Sequence, residues 1–352
     1  MTLAPMLLEW YDLNMRDLPW RRNPTPYVTL VSEIMLQQTR VEAVLPLYER
    51  FMERFPSIQN LASATQDEVL TSWQGLGYYS RARRLHQTAK IIVAEHGGLV
   101  PNDEEALRSL PGIGDYTCGA ILSMAFGKPE VAIDGNLLRI GARLFLIQDP
   151  INRMKAKSQI HTNFMSLLPA KRPGDFNQAL MDLGSRICLP KNPRCGECPI
   201  SDHCQAYVQD AVLRLPIKDA PKPPLQVCVQ LYLVESEGAV LLRKRDFGGF
   251  LQGMWELPWY ETDSEAAGTA LKVAEEHNWL FSPLASCGPP EVYEMEYIFS
   301  HRHWLMTIFR YEVADLFYTP SDKDTFYLWQ PLHSIGEIAL PTVFKKALRL
   351  RP

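Results

Sequence analysis

Leu110-Pro-Gly-Ile-Gly-Asp-Tyr-Thr-Cys-Gly-Ala-Ile-Leu-Ser-Met-Ala-Phe-Gly127, followed by Val131-Ala-Ile-Asp-Gly-Asn-Leu-Leu-Arg139, is the stretch around which the chain is read. Asp103 to Leu110 predicts a short helix capped by Asn102. Pro111, Gly112 and Gly114 then make a tight turn in which the two glycines are free to take positive φ. Thr117 to Phe126 predicts a second helix whose first N–H groups lack intrahelical partners, a place where a phosphate can sit without its sequence being read. A plain helix-helix turn is written with the same glycines. Asp134 follows an apolar run and precedes Gly135-Asn136, so it is expected at a helix start, where donors and dipole favour its ionised form. Asp134 or Asn136 as a simple N-cap is the plainer reading. A fixed carboxylate beside a phosphate-binding turn also suits cleavage of an N-glycosidic bond, because an anion stabilises an oxocarbenium-like sugar.

Outward from that stretch, Met6–Met15 predicts a helix, and Leu18-Pro-Trp-Arg-Arg22 interrupts it with an aromatic and two cations. Tyr27–Thr39 predicts another, apolar at Val28, Val31, Ile34 and Met35, with Glu33 among them and Gln37 on the same face four residues on. A glutamate on a helix is usually solvated; one buried there would hold its proton near neutrality and could pass it to a leaving base. Trp73-Gln-Gly-Leu-Gly-Tyr-Tyr-Ser-Arg-Ala-Arg-Arg84 sets adjacent aromatics before three arginines, which suits stacking beside phosphates or an ordinary core turn. Helices continue from Leu137 to Leu183.

Cys188, Cys195, Cys198 and Cys204 then follow with spacing C-x6-C-x2-C-x5-C. Four thiols so close, in a chain without a secretion signal, predict a metal site rather than disulfides, and zinc would suit four thiolates in general. Cys118, Cys228 and Cys287 are isolated and read as small buried hydrophobes. Leu213–Gln226 holds four prolines, a stiff linker. The expected organisation is a helical domain over 1–212, the linker 213–226 and a smaller α/β domain over 227–352. In the latter the period turns to two, predicting strands over Val227–Glu235, Ala239–Lys244, Val292–Phe299, His303–Tyr311 and Thr325–Gln330, and helices over Ser264–Glu276 and Thr342–Leu350.

A chain of 352 residues with 46% hydrophobic and 22% charged residues is an ordinary globular protein of about two domains. Its apolar runs are too short and interrupted to span a bilayer, so no membrane association and a cytoplasmic, nucleoid-associated location are expected. The net charge of −4 offers no global attraction to nucleic acid. Residues 1–220 hold 24 Lys and Arg against 23 Asp and Glu, and residues 221–352 hold 12 against 17. Binding would therefore depend on local stretches, Arg81, Arg83, Arg84 and Lys90 in one, Arg153, Lys155, Lys157, Lys171 and Arg172 in another.

Leu110-Pro-Gly-Ile-Gly with Asp134 resembles the helix-hairpin-helix and aspartate of the endonuclease III superfamily of DNA glycosylases. The cysteine spacing is that superfamily's [4Fe–4S] loop. Over nearly its whole length the chain is similar to the adenine DNA glycosylases, which remove adenine mispaired with 8-oxoguanine. The resemblance implies double-stranded DNA with an 8-oxoguanine:A or G:A pair as partner, a monomer, and Gly112 and Gly114 against a phosphate. A monovalent or calcium cation on the hairpin carbonyls is compatible with it. Glu33 matches the catalytic acid, Asp134 the oxocarbenium stabiliser, and Asn136 is grouped with them. Trp20, Arg21, Leu36 and Gln178 match the adenine pocket, and Gln38 and Tyr78 match wedges inserted around the lesion. Tyr116 stands where strand-cutting relatives place a lysine, which implies a monofunctional enzyme.

Leu241-Leu-Arg-Lys-Arg…Met254-Trp-Glu-Leu-Pro258 is similar to the core of Nudix hydrolases. Glu275-Glu276 lacks the preceding Arg-Glu pair that holds Mg²⁺ in those enzymes, so no Mg-dependent hydrolysis is expected. Phe299-Ser300-His301 would read 8-oxoguanine, whose N7 has become a donor and whose C8 bears a carbonyl. Asp115 departs from the family's pattern, where a neutral or basic residue is more common, and Leu138 stands where a basic residue can occur. A thymine glycosylase acting on G:T and a non-catalytic helix-hairpin-helix DNA-binding protein are the alternatives.

Overall fold

The computed structural model describes residues 2–220, 223–245, 251–262, 284, 288–314 and 327–350. Chain contacts divide into two compact units, Met1–Ala64 with Arg84–Ala220, and Thr65–Arg83 with Pro221–Pro352. No helix among the described residues is long and apolar enough to cross a membrane.

The first unit is helical. Leu3–Asn14 and Gly135–Leu144 both pack on Pro173–Arg186, and Met154–Leu167 packs on Gly135–Leu144. Their inward faces bring Leu7, Leu137, Ile160, Phe164, Phe176 and Leu180, none more than 1% exposed where the chain is tightest, into one core. Pro26–Leu36 starts where Thr25 accepts from the Val28 N–H and Pro26 stands at the first helical position, so the orphan donors of that end are met or absent. From Thr29 to Met35 every residue of this helix is buried, Glu33 included.

The short helix before the hairpin spans Glu104–Ser109 and is capped by Asp103, whose Oδ1 accepts from Ala106 N at 2.8 Å; Asn102 lies one residue outside. At the hairpin only Gly112 takes the left-handed conformation, φ +83°, while Gly114 is extended at φ −96°. A Cβ on Gly112 would stand 2.9 Å from Arg84 Cβ, so both conformation and space call for glycine. The second hairpin helix is α-helical over Asp115–Ala120 and widens to a π-helix over Ile121–Ala125, a form often found at functional sites.

In the second unit, strands β1 (Leu225–Ser236), β2 (Ala239–Lys244), β3 (Trp255–Glu256), β4 (Trp259–Thr262), β5 (Glu291–Ile298), β6 (Arg302–Glu312) and β7 (Tyr327–Pro331) form one mixed sheet. Its order is β3-β2-β1-β6-β5, with β4 also on β1 and β7 on β2. Only β1 and β6 run parallel, from Leu225 beside Arg302 to Glu235 beside Glu312. The period of two sends Val229, Leu231 and Leu233 to one face, under the Thr342–Ala347 helix with Trp304 and Phe344. Tyr232 and Val234 go to the other, with Leu241, Tyr260 and Val313. The five expected strands are present within two residues of their expected ends; β3 and β4, two and four residues long, were not foreseen. The expected helix over 264–276, its Glu275-Glu276 pair and Cys287 lie outside the described residues.

Phe344→Ala, which empties a fully buried position between Val343, Trp304 and Ala347, should destabilise the second unit by about 3–5 kcal/mol. Urea unfolding checks this; a midpoint equal to the unaltered chain's would contradict the packing described.

Candidate active site

Trp20, Arg21, Leu36 and Gln178, from three different helices, line one cavity together with Glu33 and Tyr116. Trp20 is fixed edge-on against Tyr48, ring centroids 5.0 Å apart. Arg21 donates to Asp182 at 2.7 and 3.0 Å, and Arg16 donates to the same carboxylate at 2.7 Å. Asp182 is wholly buried, and its two arginines hold its pKa below the ordinary carboxylate value although burial alone pushes it up. Asp182 and Arg16 carry no sequence motif; their only signal is a charge on a helix face otherwise made of Phe176, Ala179, Leu180 and Leu183.

Glu33 is 4% exposed. Burial pushes its carboxyl up to about 7, against a lowering by the Tyr116 hydroxyl that donates to Oε2; the Asp134 charge adds to the rise and Arg21 counters it. The group can therefore carry its proton at neutral pH and still release it. Gln37 caps the helix end, and its Nε2 donates to Thr117 Oγ1 at 3.0 Å, tying the Glu33 helix to the hairpin's second helix. Burial first, and then the charges of Glu33 and Asp134, raise the Tyr116 phenol well above its ordinary value, so it remains a donor.

Asp134 is the N-cap of Gly135–Leu144, as expected: Oδ1 accepts from Leu137 N at 2.7 Å and Oδ2 from Asn136 Nδ2 at 2.8 Å. Its pKa nevertheless lies above the ordinary value, because desolvation outweighs those donors; the helix start alone does not decide its charge. The loop leading to it is held by Asn177, fully buried, whose Oδ1 accepts from Ala132 N at 3.0 Å and whose Nδ2 donates to Glu130 O at 2.8 Å and Ser123 Oγ at 2.9 Å. Gly119 lets the hairpin helix approach the same loop, since a Cβ there would meet Val131 O at 2.6 Å. Asn136 Oδ1 in turn accepts from Arg139 Nη2 at 2.9 Å, and Arg139 Nε donates to Cys188 O at 2.8 Å.

Cys188, Cys195, Cys198 and Cys204 stand around a common cavity with Arg143. Among the described residues no three His, Cys, Asp or Glu converge as a single-ion site, and the four thiols rim a space instead. Arg143, 2% exposed, donates from Nη1 to Cys188 Sγ at 3.2 Å and to Leu189 O at 2.8 Å, and from Nε to Leu215 O at 2.9 Å. Cysteine sulfurs are the ligands of iron–sulfur clusters, and here four of them face one space beside a buried guanidinium. The donor set thus fits an iron–sulfur cluster. Arg139 and Arg143 were not singled out from sequence, although their i, i+4 spacing on an amphipathic helix places them on one face.

The two residues expected as wedges both have positive φ. Gln38, exposed, has φ +57°, and Tyr78 has φ +45°. In the second unit Phe299-Ser300-His301 forms the β5–β6 turn, closed by Phe299 N on Arg302 O at 2.7 Å. Phe299 stacks edge-on with Trp304 at 5.1 Å, leaving Ser300 and His301 exposed. The Tyr78 and Ser300 hydroxyls are hydrogen-bonded to each other beside a cleft of about 650 Å³. Several expected surface cations are engaged. Arg81 is 7% exposed over the rings of Trp73 and Tyr78 and donates to Leu76 O and Gly77 O; Arg153 pairs with Asp219, and Arg172 with Asp12 and Asp175. Asp115 is paired with Arg108 and so does not present a lone anion at the hairpin.

Residues 31–169 match the family model described as HhH-GPD superfamily base excision DNA repair protein, residues 188–204 that of the iron-sulfur binding domain of endonuclease III, and residues 229–350 that of a NUDIX domain. The chain is similar to an adenine DNA glycosylase of Mus musculus, 36% identical over 349 residues, covering 84% of this chain and 67% of the relative. One from Rattus norvegicus is 32% identical over 398 residues, covering 98% and 77%. Among solved structures a thermostable thymine-DNA glycosylase superposes with a TM-score of 0.54 at 30% identity, over 58% of this chain and 95% of that one.

Glu33 carries an ordinary value of 4.5 when unfolded and about 7 when folded, so the folded chain binds the proton more tightly and loses stability as pH rises from about 4.5 through 7. Glu33→Gln keeps an acceptor for Tyr116 and cannot ionise. It should melt higher than the unaltered chain above pH ~7, the gap closing toward pH ~4.5. Equal melting temperatures across that range would refute the burial cost.

Proposed function

This chain belongs to the adenine DNA glycosylase family, and from that membership we propose that it hydrolyses the N-glycosidic bond of adenine opposite 8-oxoguanine or guanine in double-stranded DNA. The observation that carries the proposal is a buried glutamate, protonatable near neutrality, in one cavity with the residues matched to the family's base pocket.

In this reading the adenine leaves the stack, at a cost of about a few kcal/mol that is least at a mispair. It enters beside Trp20, Arg21, Leu36 and Gln178. Protonated Glu33 gives its proton to a ring nitrogen, the C1′–N bond breaks, and adenine departs neutral. The sugar, now oxocarbenium-like, is stabilised by the Asp134 carboxylate, which Asn136 and the Leu137 N–H aim. Water adds to C1′ and gives a proton back to Glu33. Tyr116 holds the Glu33 carboxyl in place and offers no amine for a Schiff base, and no lysine occurs between Pro111 and Gly127, so the product is an intact abasic site.

Cys188, Cys195, Cys198 and Cys204 would hold a [4Fe–4S] cluster, whose contribution when bound is to fix the loop they close. Gly112 and Gly114 set the hairpin against a phosphate, with a monovalent or calcium cation on its carbonyls, and Gln38 and Tyr78 fill the gap around the lesion pair. Ser300 and His301 read the 8-oxoguanine, the Nudix-like domain serving recognition without Mg²⁺-dependent hydrolysis. The protein acts as a monomer on cytoplasmic, nucleoid-associated DNA.

Single-turnover reactions on duplexes with one 8-oxoguanine:A, G:A or G:T pair should give strand breaks only after alkali, fastest on 8-oxoguanine:A and lost in Glu33→Gln. The rate should fall as pH rises through about 7, where Glu33 gives up its proton. Release of thymine from G:T, or borohydride trapping of a covalent adduct, would move the chain to a different enzyme class. Ser300→Ala combined with His301→Ala should lower the preference for 8-oxoguanine:A over G:A; equal competition before and after would remove the turn from recognition.

A further inference from the structure

Gln178 presents an amide to the cavity that holds Glu33, and an amide is two-faced: turning it over exchanges its acceptor Oε1 for its donor Nε2. Something must decide which end points where. Beside Gln178 stands Tyr11, 3% exposed in the Leu3–Asn14 helix, whose hydroxyl donates to Gln178 Oε1 at 3.2 Å. Burial pushes the Tyr11 phenol up to about 12, so it keeps the proton it donates. The face of the same ring lies 5.8 Å from the Arg21 guanidinium, which Asp182 grips from below with both oxygens. One side chain that lines no part of the Glu33 cavity therefore buttresses two that do.

Resting on the reading that adenine is the base removed, we infer that Tyr11 is a specificity-setting positioning residue: its hydroxyl fixes the Gln178 amide in the orientation that suits a purine with an exocyclic amino group. Adenine shows a ring acceptor next to the amino donor, and a fixed donor–acceptor amide matches that pair of atoms. On the N1/C6 edge hypoxanthine has an acceptor oxygen where adenine has the amino group and an N1–H donor where adenine has its ring acceptor, so the pair of atoms is reversed. A fixed amide opposes it, and one free to turn over accommodates it. Tyr11 thereby acts on discrimination through Gln178, without touching the base.

Tyr11→Phe keeps the ring, the Arg21 contact and the packing and removes only the hydroxyl. The cluster-containing chain is assayed in single turnover on duplexes carrying adenine or hypoxanthine opposite 8-oxoguanine, in four forms: unaltered, Tyr11→Phe, Gln178→Ala and the double variant. The preference for adenine over hypoxanthine should fall by roughly threefold to tenfold in Tyr11→Phe. In the Gln178→Ala background the same substitution should change nothing, a pattern that a general loosening of the fold would not give. An active chain whose preference is unmoved by Tyr11→Phe, or moved equally without Gln178, overturns the role of Tyr11 alone. An unaltered chain that releases neither base overturns the reading of the pocket and this inference with it.

Discussion

A carboxyl group kept from water on every side of a helix resists ionisation, and in the Pro26–Leu36 helix Glu33 is such a group. Leu30, Val31, Ile34 and Met35 surround it along the helix, so the apolar packing that stabilises the fold is also what withholds solvent. The neighbours then divide the task. Tyr116 donates to the carboxyl, Arg21 lends a positive charge, and Asp134 supplies a negative one. These opposing influences leave the group near the middle of the physiological range, where a proton can move either way.

The aspartate depends on a different kind of constraint, a relay of amides and guanidinium groups. Asn177 holds the loop before Asp134 by its Ala132 amide and Glu130 carbonyl, and Asn136 holds the carboxylate after it. Asn136 is held by Arg139, which also grips the carbonyl of Cys188, and Arg143 reaches the sulfur of that cysteine. The segment that carries the cysteines is thus joined through successive hydrogen bonds to the carboxylate at the helix start. Desolvated polar groups of this kind cost little when every partner is present and much when one is lost.

Much of this was legible in the residues. Alternation of two marked β1, β2, β5, β6 and β7, and the glycine-bounded hairpin, the capping aspartate and the cysteine spacing marked the helical unit. Strands β3 and β4 escaped because two and four residues carry no period, and their place is set by pairing with β2 and β1. Asn102 and Asp103 are both cap-forming residue types that satisfy the same donors, and only the geometry of one turn makes Asp103 the cap. Tyr11, Asn177 and Asp182 were invisible for another reason: each acts through a partner 45 or more positions away, and nothing local distinguishes them from other residues on amphipathic helices. The N-cap donors of Asp134 favour its ionised form as its position suggests, but the net upward shift comes from burial, a property of the whole fold that no local pattern shows.

Gln38 and Tyr78 hold left-handed backbone conformations that non-glycine residues avoid, and Tyr78 is further gripped by the Arg81 guanidinium over its ring. The cost of ordering these two positions is met when the chain folds and need not be met again on each encounter with a duplex. Under the proposed function, in which these two residues test very many intact base pairs to find one lesion, this would shift the balance from affinity toward speed. A probe already in shape can be tried and withdrawn at each pair without a folding step in between, and residence at undamaged sites stays short.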